Sequence, residues 1–284
     1  MDSNVVVRLH GGLGNQLYSI AAAYNVACKT NLNLLVTTPV KFDSRDFPFG
    51  FPTSYNLNLG NFEFSSKCRI VNESYVKSLL TNCRITKSPE SQVIKYKSAQ
   101  DILDLENLLM GSQERIHLLQ GNFESHKIAF QAFQNGFPSI LFPRKLRGVY
   151  QVALSSLNHS KALGIHLRFG DFESWHDGNY LLDIDYYRMA INMILSDYEV
   201  SDIIIFSDDI EKAQKLLGKF YSKFKIKNFS SLKVIEQFLL LSKCSYLITS
   251  NSTFSHWAAY LSNANKIITP KINPFYPQWE SLSF

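Results

Sequence analysis

Three short polar clusters in this 284-residue chain each follow an apolar run, and each contains residues that can hold an anion or a nucleotide. His166-Leu167-Arg168-Phe169-Gly170-Asp171 closes the run 162–167. Ser207-Asp208-Asp209 follows 203–206, and Asn251-Ser252-Thr253-Phe254-Ser255 follows 246–249. Arg168 offers a planar cationic fork that matches the oxygens of a phosphate. The segment from Asn251 opens a helix, where backbone N–H groups and hydroxyls can hold a negative charge. Asp208 accepts hydrogen bonds and repels phosphate, so it suits the N–H edge of a base or a sugar hydroxyl. Turns and helix caps use the same residue types, so one cluster alone means little. Three clusters at the carboxyl ends of parallel strands describe a nucleoside-diphosphate site.

A fourth candidate lies near the N-terminus. Gly12-Leu13-Gly14-Asn15-Gln16 follows the apolar run that begins at Val5. Its glycines allow close backbone approach to a ligand, but Leu17 occupies the third glycine position of the dinucleotide fingerprint, which therefore fails. Asp183-Ile184-Asp185 spells a metal-chelating D-x-D, and we read it instead as a helix start capped by Asp185. No metal is expected. Cys244 and His256 are read as a core thiol and a site-lining imidazole rather than a nucleophile pair. Asp171, Glu173, His176 and Asp177 are all candidate proton acceptors.

These clusters need a scaffold of alternating strands and helices. Strands are predicted at 5–9, 32–36, 116–120, 162–167, 203–206, 246–249 and 266–269. Helices are predicted at 16–29, 99–109, 185–196, 209–217, 233–241 and 254–261. In 185–196, Tyr187, Ala190, Ile191, Ile194 and Leu195 fall on one face. The pattern predicts parallel sheets covered by helices. Most of 39–147 has no clean period, and a boundary near 150 separates an N-terminal half, 1–150, from a C-terminal half, 151–284. Hydrophobic residues make up 45% and charged residues 19%, as in a globular protein. The net charge of +5 without a Lys/Arg run argues against a nucleic-acid partner. No apolar stretch reaches spanning length, and four scattered cysteines read as free thiols, so a cytoplasmic protein is expected, at most peripheral to a membrane.

The clusters also resemble a known family. Gly11-Gly12-Leu13-Gly14-Asn15-Gln16 is similar to the glycine-rich opening of the α-1,2-fucosyltransferases, glycosyltransferase family 11. His166 to Asp171 looks like their HxRRxD-type motif, and Phe206-Ser207-Asp208-Asp209 looks like their second motif. Asn251-Ser252-Thr253-Phe254-Ser255-His256-Trp257-Ala258-Ala259-Tyr260-Leu261 resembles the third. Gly121-Asn122-Phe123-Glu124-Ser125 bears a weaker likeness to a glycine-aromatic segment between them.

The resemblance implies a GT-B-like α/β fold of two Rossmann-type halves with a donor cleft between them. It implies inverting transfer of L-fucose from GDP-fucose to the 2-hydroxyl of a terminal β-galactoside, without cofactor or metal. The alternatives are a fucosyltransferase of α-1,6 or protein O-linkage, and a non-catalytic GDP-sugar-binding protein. Arg168, Asp171 and His166 become the candidate catalytic residues. Gly12, Gly14, Asn15, Gln16, Arg168, Ser207, Asp208, Asn251, Ser252, Thr253, Phe254 and Ser255 would bind GDP-fucose. Glu173, His176, Asp177, His256 and Trp257 would lie toward the acceptor. Two departures stand out: Phe169 replaces the family's second arginine, and His256 replaces a tryptophan. The Phe169 side chain is expected to face the donor.

Overall fold

The computed structural model describes residues 3–37, 62–64, 68–85, 93–103, 116–143, 146–157, 161–173, 180–218, 226–271 and 279–283. The chain divides into two units, Met1–Arg144 and Lys145–Phe284. The division falls slightly ahead of residue 150, because the helix Gly148–Leu157 belongs with the second unit. That helix lies across the expected boundary, where the sequence pattern predicts no element. Its buried positions are Tyr150, Ala153 and Leu157, a stripe of one residue per turn that is too sparse to stand out from the sequence.

In the first unit, β1 (Asn4–Arg8), β2 (Asn33–Thr37), β3 (Phe62–Phe64), β4 (Cys68–Val71), β5 (Val93–Ser98), β6 (Ile116–Asn122) and β7 (Leu141–Pro143) follow in chain order. Five of them form a parallel sheet in the order β4-β2-β1-β6-β5, while β3 and β7 make a separate antiparallel pair. The helix Leu13–Thr30 joins β1 to β2 and is buried along most of its length. The helix Glu73–Ile85 and strands β4 and β5 lie in the stretch that showed no period. The helix predicted at 99–109 is present as Ala99–Leu103, and the remainder lies outside the described residues.

The second unit holds β8 (Ala162–Leu167), β9 (Asp202–Ser207), β10 (Ile226–Asn228), β11 (Tyr246–Ile248), β12 (Lys266–Pro270) and β13 (Glu280–Leu282). They form one parallel sheet in the order β10-β9-β8-β11-β12-β13. The chain winds outward from β8 to β10, returns to β8 with β11, and winds the other way. The topological switch point therefore lies between β8 and β11, where open α/β sheets bind ligands. Both chain halves are thus parallel-sheet α/β units of Rossmann type.

Strand β8 is buried along its whole length, as expected for a central strand covered on both faces. On one side Leu163, Ile165 and Leu167 join Tyr186, Tyr187, Ala190, Ile191 and Ile194 of the helix Ile184–Asp197. On the other, a Cβ at Gly164 would lie 2.8 Å from the Cys244 sulfur and 2.9 Å from Leu241 Cδ1. Glycine is required there for the helix Val234–Leu241 to pack this closely. Among the described residues, no helix is long and apolar enough to cross a membrane.

Glu236 fastens the helix Val234–Leu241 at its start. Its carboxylate accepts from the Lys233 N–H at 2.9 Å and from Arg147 Nε at 2.8 Å, and it pairs with Arg147 Nη2. Arg147 directly precedes the helix Gly148–Leu157, so one buried carboxylate joins two helix starts. Hydrogen bonding from Arg147 outweighs burial and pulls the Glu236 carboxyl down to about 2 from its ordinary 4.5. A depressed carboxyl stabilises the fold fully above the unfolded value and loses that contribution as pH falls through the folded one. We predict that Glu236→Gln lowers the unfolding free energy by about 2 kcal/mol at neutral pH. Urea titrations should also show wild-type stability falling more steeply than the variant's between about pH 4.5 and pH 2.

Candidate functional site

The three polar clusters leave β8, β9 and β11, which are neighbours in the sheet. Register puts Leu167 beside Ser207 and Ile165 beside Ile248, so the loops start at the same sheet edge. Arg168 is the first residue beyond β8. Its Nη1 lies 2.8 Å from Asp208 Oδ2 and its Nη2 lies 2.6 Å from Asp171 Oδ1. The Phe172 ring lies beside the guanidinium carbon, 5.7 Å from centroid to Cζ. The other Asp208 oxygen accepts from the Phe169 N–H at 3.0 Å. Gly170 turns the chain back with φ +38°, and a Cβ there would lie 2.6 Å from Asp208 Oδ2. This glycine meets both demands at once, a left-handed backbone and no side chain.

Phe169 does not face a ligand. It is 8% exposed and packs in the core with Leu167, Leu182 and the helix Ile184–Asp197, which corrects the sequence expectation. The chain leaves the strand with Arg168 toward solvent, and its neighbour turns inward. The Lys212 ammonium lies 5.2 Å from the Phe169 ring centroid and pairs with Glu173.

Beyond β11, Ser250 and Ser255 are buried, and Ser252 caps the helix Thr253–Tyr260 by accepting from the Phe254 N–H at 3.3 Å. Asn251 donates its side-chain amide to the Tyr180 carbonyl at 2.6 Å. The Phe254 ring stacks on His166 at 5.1 Å and meets Phe238 edge-on. His166 is buried beside Ser250. Burial, then the positive charge of Arg168 and the neighbouring His256 imidazole, pull its imidazole down to about 3, so it is neutral at ordinary pH. Burial likewise takes His256 to about 4, against a backbone hydrogen bond at Ser250 that raises it.

Several residues read as ligand contacts have structural duties instead. Ser255 donates its hydroxyl inward to the Ser252 carbonyl at 3.0 Å. Trp257 is fully buried under its helix against Tyr260, so it is a core residue and not an acceptor contact. Ser207 donates to the Asp209 carbonyl, and Asp209 caps the helix Ile210–Gly218 through the Lys212 N–H. The D-x-D segment starts a helix, but the cap is Asp183, which accepts from Asp185 N and Tyr186 N. Asp185 pairs with Arg188. The capping residue thus stands two positions earlier than the sequence reading gave. His176 and Asp177 lie outside the described residues.

Gly12 stands in the first unit in the turn beyond β1, and Gly14, Asn15 and Gln16 in the first turn of the helix Leu13–Thr30. The backbone demand falls on Gly11, at φ +68°, rather than on Gly12 or Gly14. Gln16 is fully buried and donates to the Gly11 carbonyl at 2.9 Å, so its amide closes the turn instead of meeting a donor sugar. His10 Nε2 contacts the Gly121 carbonyl of β6, tying the turn to the neighbouring strand at this sheet's own switch point.

The sequence reading missed the residues that hold the clusters. Tyr186 donates its hydroxyl to the Thr249 carbonyl at 2.8 Å, and Tyr187 donates to the His166 carbonyl at 3.3 Å. One helix turn thereby fixes the ends of β8 and β11. Two adjacent tyrosines on an apolar helical face were the available signal.

Residues 118–279 match glycosyl transferase family 11. The chain belongs to that family. The α-1,2-colitosyltransferase of Escherichia coli is 27% identical, a match covering 99% of this chain and 96% of that one. The O-antigen biosynthesis glycosyltransferase WbnK of Escherichia coli is 23% identical, with 89% of each chain covered. The structure is also similar in fold to the α-1,6-fucosyltransferase NodZ from Bradyrhizobium, co-crystallised with GDP. There the TM-score is 0.55 at 15% identity, over 96% of this chain and 97% of that one. This glycosyltransferase therefore has the GT-B-like fold class expected from its motifs.

The packing of Phe169 yields a test. Phe169→Arg should destabilise the protein by about 3 kcal/mol or more, because a guanidinium would be buried without a partner. Thermal melting checks this, and a variant that melts with the wild type would place residue 169 in solvent.

Proposed function

We propose that this glycosyltransferase moves L-fucose from GDP-fucose to the 2-hydroxyl of a terminal galactose, forming an α-1,2 linkage with inversion and without a divalent metal. The observation that carries the reading is Arg168, a guanidinium held by two carboxylates at the switch point between β8 and β11. GDP-fucose carries a β-linked sugar, so one displacement gives the α product. The acceptor oxygen bonds to C1 while the bond from C1 to the diphosphate breaks. Its electron pair leaves with the phosphate oxygen. Arg168 and the N-terminus of the helix Thr253–Tyr260 are suited to that growing charge.

We assign Asp171 to take the acceptor proton, its carboxylate being released when Arg168, its partner here, turns to the diphosphate. Glu173 is paired with Lys212, and His166 already has its Nδ1 engaged by Ser250. Independence from metal is supported by the D-x-D carboxylates, since Asp183 is spent on a helix cap and Asp185 on Arg188. The GDP in the NodZ structure and the O-antigen role in the name of WbnK agree with a GDP-sugar donor and a glycan acceptor.

The 27%-identical colitosyltransferase favours a second reading, in which the sugar is colitose, the 3-deoxy counterpart of L-fucose. Side-by-side turnover of GDP-fucose and GDP-colitose decides between them. A site that hydrogen-bonds the 3-hydroxyl should prefer fucose by a factor on the order of 10⁴. A panel of β-galactosides with product linkage analysis separates α-1,2 from α-1,6 transfer, and GDP binding without turnover of any acceptor would mark a non-catalytic protein. With the working donor, Arg168→Lys should lower kcat roughly 100-fold, because an ammonium cannot reproduce the fork. Activity should persist in excess EDTA. Loss of turnover in EDTA that manganese restores would overturn the metal-free reading.

A further inference from the structure

Ser250 is 1% exposed and belongs to none of the roles assigned above. Its hydroxyl oxygen lies 2.8 Å from His166 Nδ1 and accepts from the Ser252 N–H at 3.2 Å. It also stands 3.5 Å from the Ser255 hydroxyl. The direction of each bond follows from counting protons. A serine hydroxyl has one proton to give and two lone pairs to receive. Ser255 gives its proton to a main-chain carbonyl, that of Ser252 at 3.0 Å or of Ser250 at 3.3 Å. Ser250 is thus left with its own proton and two possible takers, a weak 3.5 Å contact to Ser255 or a well-placed 2.8 Å contact to His166. Were Nδ1–H to donate to the second lone pair of Ser250 instead, the Ser250 proton would be left with only the 3.5 Å contact. The arrangement that makes the stronger pair of bonds therefore has Nδ1 as the acceptor, without a hydrogen. In a neutral imidazole the proton then sits on Nε2, away from Ser250.

We propose that Ser250 is a positioning residue that locks His166 as a neutral Nε2–H donor for an oxygen of the bound GDP moiety. The assignment rests on the GDP-sugar reading given above. The remaining contacts on the ring fit the same role. Phe254 covers one face, and the Tyr187 hydroxyl holds the His166 carbonyl. The ring therefore has little freedom to turn and cannot exchange its nitrogens. A donor without charge, set beside Arg168, adds direction to the recognition of an oxygen without adding to the positive charge already present. His166, read from the sequence as a candidate catalytic residue, becomes a donor whose proton stays in place throughout the reaction.

The test uses the full chain labelled with ¹⁵N-histidine. Long-range ¹H–¹⁵N spectra report which ring nitrogen carries the proton, and His166 is picked out among the seven histidines by the signals lost in His166→Gln. In the wild type the expected spectrum shows a protonated Nε2 and a bare Nδ1. A proton on Nδ1 overturns the proposal, and this measurement needs no Ser250 variant to fold. In Ser250→Ala, verified as folded by its thermal melt, a second tautomer should appear. GDP should bind about tenfold more weakly, the loss of one net hydrogen bond. The KM for the donor should rise while that for the acceptor glycan stays unchanged. Unaltered GDP affinity in folded Ser250→Ala overturns the positioning role. A wild type that fails to bind GDP would instead sink the nucleotide reading, a result distinct from that of the tautomer spectrum.

Discussion

A guanidinium partly withdrawn from water must be paired, and much of the second unit's ligand edge is arranged around the pairing of Arg168. Asp208 reaches it from the end of β9 and Asp171 from the turn that follows it. Each partner imposes a further demand. Asp208 can stand there because Gly170 has no side chain to meet it and because the Phe169 N–H satisfies its second oxygen. Phe169 can present that N–H because its ring is anchored in the core. The strand ends are fixed from behind by two tyrosine hydroxyls of the helix Ile184–Asp197. A charged group at a loop tip is thereby given the rigidity of the sheet beneath it.

What could be read in the sequence follows the physics of burial. The central strands β8, β9 and β11 are apolar and bounded by polar turns, so their positions and the polar clusters beyond them were legible. The edge strands β10 and β13 span three residues each, too short to show a period. The helix Gly148–Leu157 was missed because its buried stripe is thin. Within the site, residue type was a good guide to location and a poor guide to duty. Ser255, Gln16 and Trp257 are site-like residues turned inward, since each hydroxyl, amide or ring serves the loop that carries the function. Phe169 could not be placed by alternation, because the chain leaves the strand at Arg168.

The two units repeat one construction. In the first, a glycine with positive φ ends the turn after β1, and His10 ties that turn to β6. In the second, a glycine with positive φ follows β8, and His166 ties the strand end to the loop after β11. In both cases a buried histidine crosses the point where the strand order reverses. A switch point opens a crevice between diverging loops, and an imidazole is long enough to span it while remaining neutral when buried.

The pairing of Arg168 also sets the terms on which an anion can enter. An anion approaching this edge does not meet a bare cation, since Asp171 and Asp208 already share the guanidinium. It competes with those carboxylates for the N–H groups of the fork, as anions compete on the resin of an ion exchanger. Long-range attraction then contributes little, and geometry decides. A singly bonded anion gains no more than the aspartate it displaces, whereas a ligand that also reaches the N-terminus of the helix Thr253–Tyr260 wins the exchange by binding at two points.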